Sequence, residues 1–146
     1  MRLGRVTNGV SCEGRMQGVM GTWLEGRGFA FLAEVRVPDV SRIADFLLVS
    51  DGRLVNIEAK CLDFGCMLDQ LDDHAKYCDY CFAYIPDYAP TPRWFKERLV
   101  AKGYGLIVYN YEGKHVTEVL EAHKNLGLNM SVRNRLINKI RTSKVR

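Results

Sequence analysis

Apolar positions along the chain alternate between a helical and a strand period. Met16, Val19, Met20 and Trp23 recur at i, i+3, i+4 and i+7 and predict a helix over 12–27, weakened by Gly18 and Gly21 and ended by Gly26 and Gly28. The run Phe-Ala-Phe-Leu-Ala-Glu-Val-Arg-Val over 29–37 predicts a strand. Residues 44–49 and 54–60 predict two more, around Asp51-Gly52. A helix is expected over 64–80, with Asp63 as N-cap and Phe64, Leu68, Leu71 and Ala75 on one face. A strand at 81–85 stops at Pro86, and Tyr88-Ala-Pro-Thr-Pro92 is a loop. A short helix over 93–102 closes at Gly103. Strands over 105–110 and 115–120 flank a turn at Glu112-Gly113. The last helix, about 131–142, carries Val132, Leu136 and Ile140 at i, i+4 and i+8. The order α-β-β-β-α-β-α-β-β-α predicts a mixed α/β fold with the sheet in the middle.

The 146 residues, 47% hydrophobic and 26% charged, match an ordinary globular domain and exclude wholesale disorder. No apolar run reaches the ~18 residues of a membrane span, and the basic N-terminus has no apolar stretch behind it, so a cytoplasmic protein is expected. Charge is unevenly placed. Six of the 21 Lys and Arg lie in residues 131–146, which hold no acid, so the remaining 15 stand against 17 acids. A near-neutral body over 1–130 with a basic C-terminal helix or tail over 131–146 points to a polyanion partner; a solvated helix face is the plain alternative. Five cysteines without an export signal argue against a disulfide framework. Cys61, Cys66, Cys78 and Cys81 have spacings that could hold zinc or an iron–sulfur cluster, but Cys81 opens the apolar run Cys-Phe-Ala-Tyr-Ile, where a small buried hydrophobe fits.

The hairpin carries the chemistry. Asp-Gly between apolar runs predicts a two-residue type I′ turn, which fixes the register. Ser50 then pairs with Arg53, Val49 faces Leu54, Leu48 faces Val55, Phe46 faces Ile57, and Asp45 faces Glu58. Opposed residues have Cβ atoms about 4.5–5.5 Å apart, so two carboxylates there repel unless a cation sits between them. Alternation puts Lys60 on the Glu58 face. Two hard oxygen ligands beside a lysine suit Mg²⁺ or Mn²⁺, which can activate water and stabilise charge on a phosphodiester. The alternative is a pair of solvent-facing strand residues with Asp45 at a strand start.

Ala44-Asp45 followed by Glu58-Ala59-Lys60 after a tight hairpin resembles the PD-(D/E)XK nuclease superfamily. The thirteen-residue step from Asp45 to Glu58 is similar to that of archaeal Holliday-junction resolvases. Arg42-Ile-Ala-Asp45 and Cys78-Asp-Tyr-Cys-Phe82-Ala also resemble small bacterial nuclease-like DNA-repair proteins. The likeness covers about residues 12–110, with the hairpin as its specific part. It implies a restriction-endonuclease-like mixed sheet flanked by helices, and a Mg²⁺- or Mn²⁺-dependent deoxyribonuclease acting in repair, recombination or phage DNA processing. It also implies Asp45, Glu58 and the Ala59 carbonyl as metal ligands and Lys60 as the catalytic lysine. The proline that precedes the motif aspartate in the family is Ala44 here. Pro38-Asp39 is a literal match, but it sits in a loop without fixed register to Glu58 and is taken as a decoy.

Glu13 on the first helix matches a family glutamate, with Glu34 as competitor; its plain alternative is a first-turn acid favoured by the helix dipole. Gln70, His74 and Tyr77 form one helical stripe, and Gln70 resembles the glutamine of RecB-like members. For His74 an exposed face is the favoured expectation. Arg133, Arg135, Lys139 and Arg141, with Arg2, Arg5 and Arg15 as further candidates, are expected on DNA phosphates. A homodimer is expected, since one active site cuts one strand. The rival functions are a catalytically silent DNA-binding or assembly module of the same fold, and a nuclease with a cysteine-held Fe–S or zinc centre.

Overall fold

The computed structural model describes residues 12–37 and 42–144. The elements follow the predicted order: α1 (Cys12–Gly26), β1 (Ala30–Arg36), β2 (Ile43–Ser50), β3 (Arg53–Ala59), α2 (Phe64–His74), β4 (Tyr80–Pro86), α3 (Arg93–Lys102), β5 (Gly105–Asn110), β6 (His115–Leu120) and α4 (Met130–Lys144). The strands form one six-stranded sheet in the order β1-β2-β3-β4-β5-β6. β3, β4 and β5 are parallel, as two helical crossovers require, and the outer neighbours are antiparallel. This is the mixed sheet flanked by helices that pattern and resemblance predict. No described helix is long and apolar enough to cross a membrane.

Strand alternation divides the core. Val55, Ile57 and Ala59 pack with Met16, Met20 and Leu24 of α1 on one face. Leu54 packs with Met67, Leu68 and Leu71 of α2, Phe95 and Leu99 of α3, and Val132, Leu136 and Ile140 of α4 on the other. The C-terminal helix is thus built into the same core as α2 and α3, lying across β1, β2 and β3.

One boundary departs from expectation by more than two residues. The 64–80 helix ends at His74, because the amides of Tyr77 and Cys78 both turn back to the His74 carbonyl. Asp79 then exchanges bonds with β3: its amide donates to the Leu54 carbonyl and its Oδ2 accepts from the Leu54 amide at 2.8 Å. The helix thus ends six residues early, and that edge contact leads the chain into β4 at Tyr80.

The same aspartate locks the turn end of the β2–β3 hairpin. Asp51 and Gly52 both adopt left-handed backbone, φ 51° and 73°, as a type I′ turn demands. Arg133 of α4 donates from Nε to Asp79 Oδ2 at 2.8 Å and from Nη2 to the Gly52 carbonyl at 3.0 Å. Lys124 adds a 3.4 Å contact to Asp79 Oδ1. The Leu54 amide and the two cations hold the Asp79 carboxyl below its usual pKa despite burial. Arg133→Ala removes a charged partner from an aspartate that is 1% exposed, together with the tie to Gly52, and should destabilise the protein by about 3 kcal/mol in urea unfolding. Lys139→Ala, on the exposed face of the same helix, should stay within about 0.5 kcal/mol.

Candidate active site

At its other end the hairpin opens. The register runs as predicted from Ser50↔Arg53 to Phe46↔Ile57, where the paired ladder stops. Beyond that point carboxylates replace backbone carbonyls as acceptors. The Asp45 amide donates to Glu58 Oε2 at 2.9 Å, and the Ala59 amide donates to Asp45 Oδ2 at 2.8 Å. The two acids are therefore held by crossed side chain–backbone bonds in place of a direct ladder pair.

Glu58 shares the α2 side of β3 with Leu54 and Asn56, and is fully buried. Its Oε2 also accepts from Asn56 Nδ2 at 2.8 Å and lies 3.4 Å from His74 Nε2. Asn56 Nδ2 shares its donation with the Phe46 carbonyl, which fixes the orientation of the amide. Among the described residues Glu58 Oε1 has no hydrogen-bond partner, although it is buried. Each acid thus has one oxygen tied into the protein, and Glu58 keeps the other unpaired.

Burial pushes both carboxyl pKa values up; their mutual repulsion adds to the rise at Glu58, and the nearby Glu13 and Glu34 add to it at Asp45. Opposing this, Lys60 lowers both, and the bonds from Ala59, Asn56 and the Asp45 amide stabilise the ionised forms. Glu13 reaches the site from the first turn of α1, where its Oε2 accepts from the Cys61 amide at 3.3 Å. Glu34 approaches from β1 with a left-handed φ of 54°, between the paired residues Ala33↔Phe46 and Val35↔Ala44. Both competing glutamates therefore bear on Asp45, and only Glu13 is bonded to the segment after Lys60.

The C-terminal turn of α2 backs the site. Arg42, just before β2, donates Nε to Asp73 Oδ2 at 2.7 Å and ties that turn to the start of β2. His74 is fully buried, with Nδ1 hydrogen-bonded to the Tyr77 hydroxyl. The expected exposed face for His74 is thus wrong: the helix turns it onto Glu58. Burial lowers its pKa to about 4, so it is neutral near pH 7. Gln70, one turn earlier on the same stripe, has a buried Oε1 with no partner among the described residues. Asn56 escaped the sequence reading, although an amide in an otherwise apolar strand, two residues before Glu58, was the available signal.

Among the described residues no three His, Cys, Asp or Glu side chains form a ready metal cage. The donors nevertheless fit Mg²⁺ or Mn²⁺. Mg²⁺ is commonly held by one or two carboxylates with waters and substrate phosphate completing its shell, and an unpaired buried carboxylate oxygen beside a second acid is what such an ion needs. The cysteines make no common centre: Cys61 is disulfide-bonded, against the expectation from cysteine count, and Cys66, Cys78 and Cys81 are free thiols.

The expected DNA contacts of α4 lie elsewhere. Arg133 is taken up by Asp79 and Gly52, and the Arg141 guanidinium also lies beside Gly52. Arg135 and Lys139 are on exposed positions of α4. This cluster flanks the turn end of the hairpin, separated from Asp45 by the length of β2, roughly 20 Å at 3.3 Å per residue. Arg2, Arg5 and Pro38-Asp39 lie outside the described residues.

No protein-family model and no curated relative matches the chain. Three solved structures share the fold. A protein of unknown function from Silicibacter pomeroyi is 20% identical, with a TM-score of 0.69 over 94% of this chain and 88% of that one. An XisH family protein from Nostoc punctiforme is 12% identical, with a TM-score of 0.57 over 73% of this chain and 99% of its own. The protein of unknown function AF1548 is 19% identical, with a TM-score of 0.52 over 69% and 61%. At these identities the likeness is one of fold.

The site makes metal-free stability depend on pH in a defined direction. A carboxyl with a raised pKa holds its proton in the fold after the unfolded chain has lost it, so stability falls as pH rises above the unfolded value of about 4.3. His74 acts oppositely: the unfolded chain takes up a proton below about 6.5 that the fold refuses until about 4, so its contribution falls as pH drops through that window. Above about pH 6.5 only the carboxyl effect remains. The Tm without metal should decline from pH 6.5 to 8.5. Glu58→Gln should flatten that decline and be more stable than wild type at pH 8 by on the order of 2 kcal/mol. Mn²⁺ should restore the wild type at pH 8 and leave the variant unmoved.

Proposed function

We propose that the protein is a divalent-metal-dependent deoxyribonuclease that hydrolyses DNA phosphodiester bonds. The observation that supports this best is the paired presentation of Asp45 and Glu58 at the opened end of the hairpin, with Lys60 close enough to favour their ionised forms. Asp45, Glu58 and the Ala59 carbonyl would hold the ion. When bound, it supplies Lewis-acid stabilisation of phosphate charge and a more acidic water.

The protein's own residues do the rest. Crossed bonds to the Asp45 and Ala59 amides fix the carboxylates before substrate arrives, so little reorganisation remains for the chemical step. Lys60 is half-buried at the end of β3 and carries positive charge toward the same point. There it orients the attacking water or meets charge developing on the phosphate. Glu13, bonded to the Cys61 amide, holds α1 against the segment that carries Lys60. Arg135, Lys139 and Arg141 would bind backbone phosphates away from the cut. A duplex touching both regions spans roughly 20 Å, on the order of six base pairs at 3.4 Å each.

Cleavage of linear, nicked, branched and single-stranded DNA with Mg²⁺ or Mn²⁺ tests the activity. Asp45→Asn should abolish cleavage, and wild-type cutting by that variant rejects the assignment. Lys60→Ala should bind DNA and metal yet cleave ~10²–10³-fold more slowly under single turnover, the loss expected when one electrostatic stabiliser is removed. Lys60→Arg should rescue poorly, because a planar fork does not reproduce a compact ammonium.

The basic face of α4 has a separate signature. Replacing Arg135, Lys139 and Arg141 together by Ala should weaken binding on all sequences alike. It should also reduce the slope of log K against log salt by up to ~0.9 per lost phosphate contact. An unchanged slope in the folded variant removes α4 from the DNA interface.

A further inference from the structure

Four buried polar atoms lack partners among the described residues: Asn56 Oδ1, Glu58 Oε1, Gln70 Oε1 and His74 Nε2. All belong to β3 or α2. Three are oxygens; the fourth is the only nitrogen, and it lies 3.4 Å from Glu58 Oε2. Which tautomer His74 adopts therefore decides what it does to Glu58.

Tyr77 decides the tautomer. Its side chain is 1% exposed and stands edge-on to the His74 ring, at 90° with centroids 5.7 Å apart. Its hydroxyl meets His74 Nδ1. A buried phenol must place its O–H on an acceptor, and the bare lone pair of Nδ1 is the acceptor in reach. A neutral imidazole that accepts at Nδ1 carries its proton on Nε2, the nitrogen that faces Glu58.

We propose that Tyr77 and His74 are positioning residues that direct the Glu58 carboxylate, with Tyr77 setting the tautomer and His74 holding its protonated Nε2 3.4 Å from Oε2. Oε2 then faces three donors, the Asp45 amide, Asn56 Nδ2 and His74 Nε2–H, and Oε1 alone is left toward the ion. The link to metal and cleavage rests on the nuclease reading; the tautomer does not. Such outer partners fix ligand orientation, and their loss commonly weakens metal affinity 10–100-fold.

The test uses the full-length, metal-free protein labelled with ¹⁵N. Long-range ¹H–¹⁵N spectra should show His74 neutral, protonated on Nε2 and bare at Nδ1. Tyr77→Phe, which keeps the ring and removes the donor, should mix the tautomers. Titration with Mn²⁺ should show affinity reduced at least ~10-fold in His74→Leu and in Tyr77→Phe. His74→Gln, whose amide can still donate to Oε2, should recover part of that loss. A proton on Nδ1 in the wild type overturns the proposal, since Tyr77 would then accept and Nε2 would offer Glu58 only a lone pair. Unchanged Mn²⁺ affinity in folded Tyr77→Phe also overturns it, even if His74→Leu fails to fold. DNA cleavage by the same wild-type sample separates the two ideas. Absence of cleavage with the expected tautomer and Mn²⁺ losses rejects the nuclease reading and keeps the relay.

Discussion

The molecule turns on one substitution of hydrogen-bond partners. At Phe46↔Ile57 the β2–β3 ladder stops, and the next amides on the two strands donate to carboxylates instead of carbonyls. This exchange closes the backbone accounting at a place where the strands part, since an unpaired buried amide is costly. It also brings two like charges together in a poorly solvated place. The fold thereby carries a local electrostatic conflict that it tolerates only because the surrounding ladder, turn and helices fix the register. A slip of one residue would turn Asn56 and Glu58 toward α1 and bury Ile57 against α2.

That dependence explains why so much was legible in the sequence. A two-residue Asp-Gly turn has few geometries, so the pairing of Ser50 with Arg53 propagates to every pair up to Phe46 and Ile57. Local signals of similar strength set the ends of α3, β5 and β6, which coincide with the predicted ranges. The sequence was silent where tertiary contacts decide. No residue type in the sequence marks the end of α2 at His74; the turn that closes it is followed by Asp79 bonding to the Leu54 amide, a partner 25 residues away. The inward turn of His74 follows from that ending and could not be read from helical periodicity alone. Arg133 shows the same limit: composition groups it with the other basic residues of the tail, whereas a buried aspartate on β4's approach claims it.

The hairpin's two ends make the difference between structural and chemical use of buried polarity. At the turn end, Asp79 is buried against an amide, an arginine and a lysine, opposite charges that satisfy it and hold its pKa down. At the open end, Glu58 is buried beside another acid, and its pKa goes up. Both carboxylates are nearly inaccessible, so burial alone does not distinguish them. Satisfaction does: every orphaned buried polar atom among the described residues belongs to β3 or α2, and none to the Asp79 network. A fold selected only for stability has no reason to leave an acid, two amides and an imidazole short of partners on adjoining elements, since each orphan costs about 1–3 kcal/mol. On the proposed reading, a bound cation with its waters would supply both the missing charge and the missing donors. That difference in satisfaction is what the proposed ion site rests on, and it separates the open end of the hairpin from its turn end.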